Sequence, residues 1–107
     1  MKNVNLMQSI KNPAGFELTV KTAEGLKSPL QLYDVLSVSL MSHHPQRDAG
    51  LTGSEMHRMY QLAQRIDLAK AGTMDFSEEE ADLLKNRVAI CYEVHHAIVG
   101  SIWDILS

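Results

Sequence analysis

The sequence predicts an α+β fold that is mainly α: an N-terminal β-hairpin followed by three helices, the last one long. Three observations predict it. Phe16, Leu18 and Val20 alternate with Glu17, Thr19 and Lys21, the period of a strand with one buried face. Thr52 and Ser77 each stand three residues ahead of a glutamate, Glu55 and Glu80, the capping-box spacing in which each side chain satisfies a free backbone N–H of the other residue at a helix start. Finally, residues 77–106 carry apolar side chains at helical spacing over well more than half of the circumference, beyond the ~100° stripe of a surface helix.

In chain order, Val4, Leu6 and Ile10 fall at even spacing and supply the first strand of the hairpin. Asn12-Pro13-Ala14-Gly15 puts Asn, Pro and Gly where a type I turn favours them, and Glu24-Gly25 ends the second strand, residues 16–22. The hairpin takes residues 1–27 and the helical part 28–107, all within a single domain. Ser28-Pro29 reads as a helix start, serine capping and proline at the first helical position, with the helix running to about Met41 on a stripe of Leu32, Tyr33, Leu36 and Leu40. Residues 42–51 form a long loop, and long loops are disproportionately used for binding.

The second helix opens on Thr52 and runs to about Ala71, with Gly72 as its stop. Met56, Met59, Leu62, Ala63, Ile66 and Ala69 share one face; His57, Gln61 and Gln64 lie opposite, flanked by Arg58 and Arg65. Thr73 to Phe76 is a short extended piece. In the last helix Leu84, Val88, Cys91, His95, Ile98, Ile102, Ile105 and Leu106 form the central stripe. Leu83, Ile90, Val94 and Ala97 lie on one flank, Tyr92, Val99 and Trp103 on the other. Gly100 falls on the polar side beside Glu93 and Asp104. A glycine there costs about 1 kcal/mol relative to alanine, so either another chain approaches closely or the helix breaks near its end.

A chain of 107 residues buries roughly 65% of its unfolded surface, enough for one modest core. The net charge is −3 and uneven: from Ser77 onward six acids (Glu78, Glu79, Glu80, Asp82, Glu93, Asp104) face two bases (Lys85, Arg87), which is −4 and leaves +1 for the rest. That balance disfavours a phosphate-backbone binder, and nucleic acid is an unlikely partner. The acids of residues 78–80 sit where the helix dipole stabilises them. One cysteine, Cys91, forms no internal disulfide and fits a reducing compartment. The first ten residues are too often polar for a signal peptide, and no apolar run approaches the ~18 residues of a membrane span.

No phosphate-binding glycine loop, nucleophile turn, zinc helix or dinucleotide fingerprint occurs, so the expectation is a non-enzymatic protein without cofactor or metal. Cys91 and His95, four apart on one helix, could share a metal with His43, His44 or His96, but a hydrogen-bonded core histidine is the commoner outcome and a buried thiol is inert. Arg58, Arg65 and Lys70, with the loop histidines, make the alternative of a small nucleic-acid-binding regulator. The flanks of the last helix are the better site: Ile90, Tyr92, Val94, Ala97, Val99, Gly100 and Trp103 are the expected interface of a homo-oligomer. His43, His44 and Arg47 are the expected partner-contacting residues of the loop.

Tyr60-x-Leu62-Ala63-x-x-Ile66, then Phe76-Ser77-x-x-Glu80-x-x-Leu83-Leu84, then Val99-Gly100-x-Ile102-Trp103-x-Ile105-Leu106 resemble small proteins of about this length encoded by tailed bacteriophages and prophages. The likeness spans roughly residues 30–106. Its positions are mostly caps and core, so it carries over no catalytic residue. The resemblance implies a virus-encoded protein acting in the cytoplasm of the bacterial host through protein contacts, in phage assembly or in binding and inhibiting a host factor.

Overall fold

The computed structural model describes residues 2–21, 24–70 and 72–107, and these form four helices and two small antiparallel sheets. Met1, Thr22 (the expected end of the second strand) and Ala71 (the expected end of the second helix) lie outside those residues. The α+β class with about half the chain helical is as the sequence predicts. The helix count is corrected from three to four.

The first sheet pairs β1 (Lys2–Asn5) with β4 (Thr73–Phe76), Val4 opposite Met74 and Asn3 opposite Asp75. Val4, Met74 and Phe76 are buried, with Leu6 just beyond the strand, while Asn3, Asn5, Thr73 and Asp75 stay outside. This two-residue alternation anchors the N-terminus to the distant β4. The expected hairpin remains only at its turn end, because Val4 and Leu6 pair with β4 and Gly72 instead: Leu18 N–H donates to Ile10 O (2.8 Å), Lys11 bridges Glu17, and Gly15 takes φ +88 in the turn that Asn12 closes through its side chain to Phe16 N–H (3.0 Å). Its second strand continues as β2 (Thr19–Lys21), paired with β3 (Lys27–Pro29). Ile10, Leu18 and Leu30 then close a three-way backbone junction, Ile10 N–H to Leu30 O at 2.8 Å and Leu30 N–H to Leu18 O at 2.7 Å.

That junction explains a second correction. Ser28 and Pro29 belong to β3 and do not start a helix; α1 is Leu32–Met41 with Gln31 as its cap residue. Its first amides need no serine, because Leu32 N–H donates to Gln8 O (2.9 Å) and Tyr33 N–H to Leu6 O (3.0 Å). Helix α2 (Gly53–Ala69) does open on Thr52, and α3 (Glu78–Cys91) on Ser77, each with a complete capping box.

The third correction is in the long last helix, which is interrupted. Helix α3 ends at Cys91, residues 92–95 turn, and α4 (His96–Leu106) follows. A straight helix of ~30 residues would run ~45 Å, longer than the molecule's largest extent of 38 Å. Breaking it folds Ile102 and Leu106 back into the core with Leu84 and Val88. Gly100 is not the break: α4 runs through it. One cluster of buried side chains joins Val4, Leu6 and Ile10 of the N-terminal segment to all four helices.

Candidate functional site

Two elements that the sequence singled out separately meet on one face. The loop of residues 42–51 lies against the turn of residues 92–95, where Arg47 Nη2 donates to Glu93 Oε2 at 2.8 Å. Val94, at the crest of that turn, is 79% exposed, and Val38 and Met41 of α1, which leads into the loop, are exposed as well. His43 and Arg47 are exposed, His44 is half-buried, and Tyr92 packs at the edge of the core.

What gives this face its shape is a group of residues that sequence reasoning missed. Arg87 of α3 is buried, and its guanidinium makes a two-pronged contact with buried Asp48, Nη1 to Oδ1 at 2.5 Å and Nη2 to Oδ2 at 3.0 Å. The same head group donates from Nε to Ser39 O (3.1 Å) and from Nη2 to Ser42 O (2.7 Å). Arg87 therefore caps the C-terminal carbonyls of α1 with a cation and holds the loop that leaves it. Asp48 is satisfied in turn: His44 N–H donates to its Oδ2 at 2.7 Å, and its own N–H donates to His44 O at 2.7 Å. The Arg87 hydrogen bonds hold its carboxyl down at about 2, against the upward push of burial. A signal was present: Arg87 stands three residues after Leu84 and four before Cys91, inside the apolar stripe of α3, where a charge needs a partner.

Cys91 sits beside this clamp, its Sγ 3.6 Å from Ser39 O, and burial pushes its thiol pKa up. It is a poor nucleophile there. His95 is exposed on the turn and is not the core histidine of the expectation, because the interruption at residues 92–95 removes it from the helix face of Cys91. Among the described residues no group of three His, Cys, Asp or Glu side chains is placed to hold a metal.

Helix α4 distributes the remaining interface candidates. Trp103 is 40% exposed and already serves within the chain: its Nε1–H donates to Lys85 O (3.1 Å), and Lys85 Nζ lies 5.3 Å from the ring centroid. Ala97 and Val99 are half-buried, as is Ile90 near the end of α3. Gly100 is exposed and faces a groove, of about 410 Å³, between α4 and the turn of residues 11–13, lined also by His96 and Asp104. A Cβ added at Gly100 would meet nothing within 4 Å. A second groove of about 710 Å³ runs between α2 and α3, with Arg58, Gln61, Gln64 and Arg65 along it. Its arginines face acids of α3, Arg65 paired with Glu80 and Arg58 Nη2 lying 3.9 Å from Glu79 Oε2. That placement takes away part of the charge a phosphate would need. Among the described residues no helix is long and apolar enough to cross a membrane.

No family model matches the chain, and neither the curated proteins nor the solved structures give a match.

Proposed function

We propose that this is a non-enzymatic protein that works through protein contacts, self-associating and docking a partner on the face built from residues 42–51 and 92–95. The setting is the one its resemblance to phage and prophage proteins implies, the cytoplasm of a bacterial host, with phage assembly or inhibition of a host factor as the task. The observation that carries the reading is the buried Arg87–Asp48 pair. A buried ion pair is a weak device for stability, since apolar residues of similar volume do as well. Spent on an irregular loop, it fixes the shape of that loop, and a pre-shaped loop loses less conformational freedom when a partner binds. Exposed Val94, Val38 and Met41 give the face apolar area, and His43, Arg47 and Glu93 give it polar contacts at the rim.

The test is capture from bacterial lysate with the wild type, Val94→Glu, Arg47→Glu and, as a control outside that face, Gln64→Glu in the groove between α2 and α3. Proteins retained by the wild type and the control, and lost with both face variants, are the expected result. Equal retention by all four proteins would overturn the assignment of this face. The same capture after nuclease treatment separates this reading from nucleic-acid binding through Arg58, Arg65 and Lys70, which predicts loss of signal after nuclease and at high salt.

A further inference from the structure

The exposed side of α4 is a row of residues four apart: His96, Gly100 and Asp104. Such i, i+4 rows are the ridges by which helices of globular proteins most often pack on one another. Among the described residues neither the His96 nor the Asp104 side chain has a hydrogen-bonding or ionic partner within the chain, although both line the groove beside Gly100. That groove continues into a second one, of about 610 Å³, through the shared residues Lys11, Ser101 and Ile105. Phe16, 70% exposed, lines its far part. The face is therefore concave and polar at both ends, with no side chain at its centre.

We propose that this face pairs with the same face of a second copy, the two α4 helices running antiparallel about a two-fold axis at Gly100. The order of donor and acceptor along the row names the occupant. His96 and Asp104 are equally distant from Gly100 in opposite directions, so the two-fold operation brings each His96 to the Asp104 of the other copy, a donor to an acceptor twice over. At the crossing point the missing Cβ of Gly100 lets the two helix backbones approach, and Phe16 of each copy closes the groove around the other helix. The inference rests on the proposed reading of a self-associating contact protein and gives that self-association its surface.

Sedimentation velocity across a range of concentrations tests it, with the wild type, Gly100→Leu, Asp104→Lys and the double variant His96→Asp with Asp104→Lys. The wild type is expected to shift from the 12.0 kDa monomer to a dimer as concentration rises. Gly100→Leu and Asp104→Lys should each raise the dimer dissociation constant at least ~10-fold, the second because it removes the carboxylate that accepts from His96 of the other copy. The double variant should restore the dimer, since it exchanges the acceptor and donor ends of the row, and the carboxylate introduced at position 96 then meets the ammonium introduced at position 104 across the axis; rescue of this kind has no structural explanation within one chain. Both charge changes suit α4 itself, an acid near its N-terminus and a base near its C-terminus, and a Cβ at Gly100 meets open space, so the monomers should stay folded by circular dichroism. Self-association that none of the variants alters would overturn the α4 surface and leave the contact reading standing. A concentration-independent wild-type monomer would overturn self-association as a whole, while the partner face of residues 42–51 and 92–95 keeps its own test in the capture experiment.

Discussion

Helix α3 reaches toward α1 and toward α2 with the same chemistry in opposite settings. Toward α1 and the loop it uses Arg87 and Asp48, whose side chains are only 4% and 2% exposed. Toward α2 it offers Glu79 and Glu80 to Arg58 and Arg65, and the Arg58–Glu79 contact is 69% and 87% exposed. The comparison teaches where geometry can be held rigidly. Water competes for the Arg58 and Glu79 side chains and less for half-buried Glu80, so the outer pair orients little. On the loop side the guanidinium is almost shut off from water, and its four bonds tie Ser42 and Asp48 of the loop to the end of α1 and to α3.

The largest effect expected from breaking this contrast is at Arg87. Arg87→Ala leaves Asp48 charged, buried and unpaired, and frees the Ser39 and Ser42 carbonyls, a loss of about 3–5 kcal/mol for removing one partner of a buried pair. Chemical denaturation should show it as a lower midpoint. Adding Asp48→Ala should cost less than the sum of the single changes, because the stranded charge is gone. A loss below about 1 kcal/mol for Arg87→Ala would mean that the clamp does not hold the loop.

Acid sharpens the same contrast with a smaller expected effect. The Asp48 carboxyl is held at about 2 in the folded chain by Arg87, against burial, with help from the His44 amide. A folded value below the unfolded one means that the stabilisation is complete above the ordinary carboxylate range, near pH ~4, and is lost as pH falls toward 2. Denaturation midpoints measured across that window should fall more steeply for the wild type than for Asp48→Asn. Parallel slopes would show that another carboxyl governs the acid limb. Glu80 contributes in the same direction: partial burial pushes it up, but the Ser77 amide and Arg65 outweigh that and hold it below its ordinary value.

How legible this was in the sequence depended on whether a helix end is set locally. Thr52 with Glu55, and Ser77 with Glu80, carry their whole signal within four residues, and both starts are where the spacing put them. The start of α1 is set by carbonyls of Gln8 and Leu6, more than twenty residues away, and the Ser28-Pro29 signal was overridden. The interruption at residues 92–95 has no Gly or Pro to announce it; it follows from how long a helix the core can cover. The loop histidines and Arg47 were located as exposed candidates, but the residue that shapes their loop lies 39 positions away from Asp48 on another helix. Only its charge within an apolar stripe hinted at it.

The smallest effects belong to the α2 side. Thr52→Ala removes the side chain that accepts from Glu55 N–H at 3.1 Å, and should cost about 1 kcal/mol. Arg58→Ala should fall within about 0.5 kcal/mol of the wild type, because its contact with Glu79 is long and solvated. Arg65→Ala should cost somewhat more, since its partner Glu80 is partly buried and also accepts from Ser77 N–H at 2.9 Å. The discriminating measurement is denaturation in low and high salt. Salt should erase most of the Arg58 difference and leave the Arg87 difference nearly intact, because mobile ions screen exposed charges and do not enter the buried clamp. If salt reduced both in proportion, the loop would be open to solvent, and the rigidity on which its role as a docking face depends would be lost.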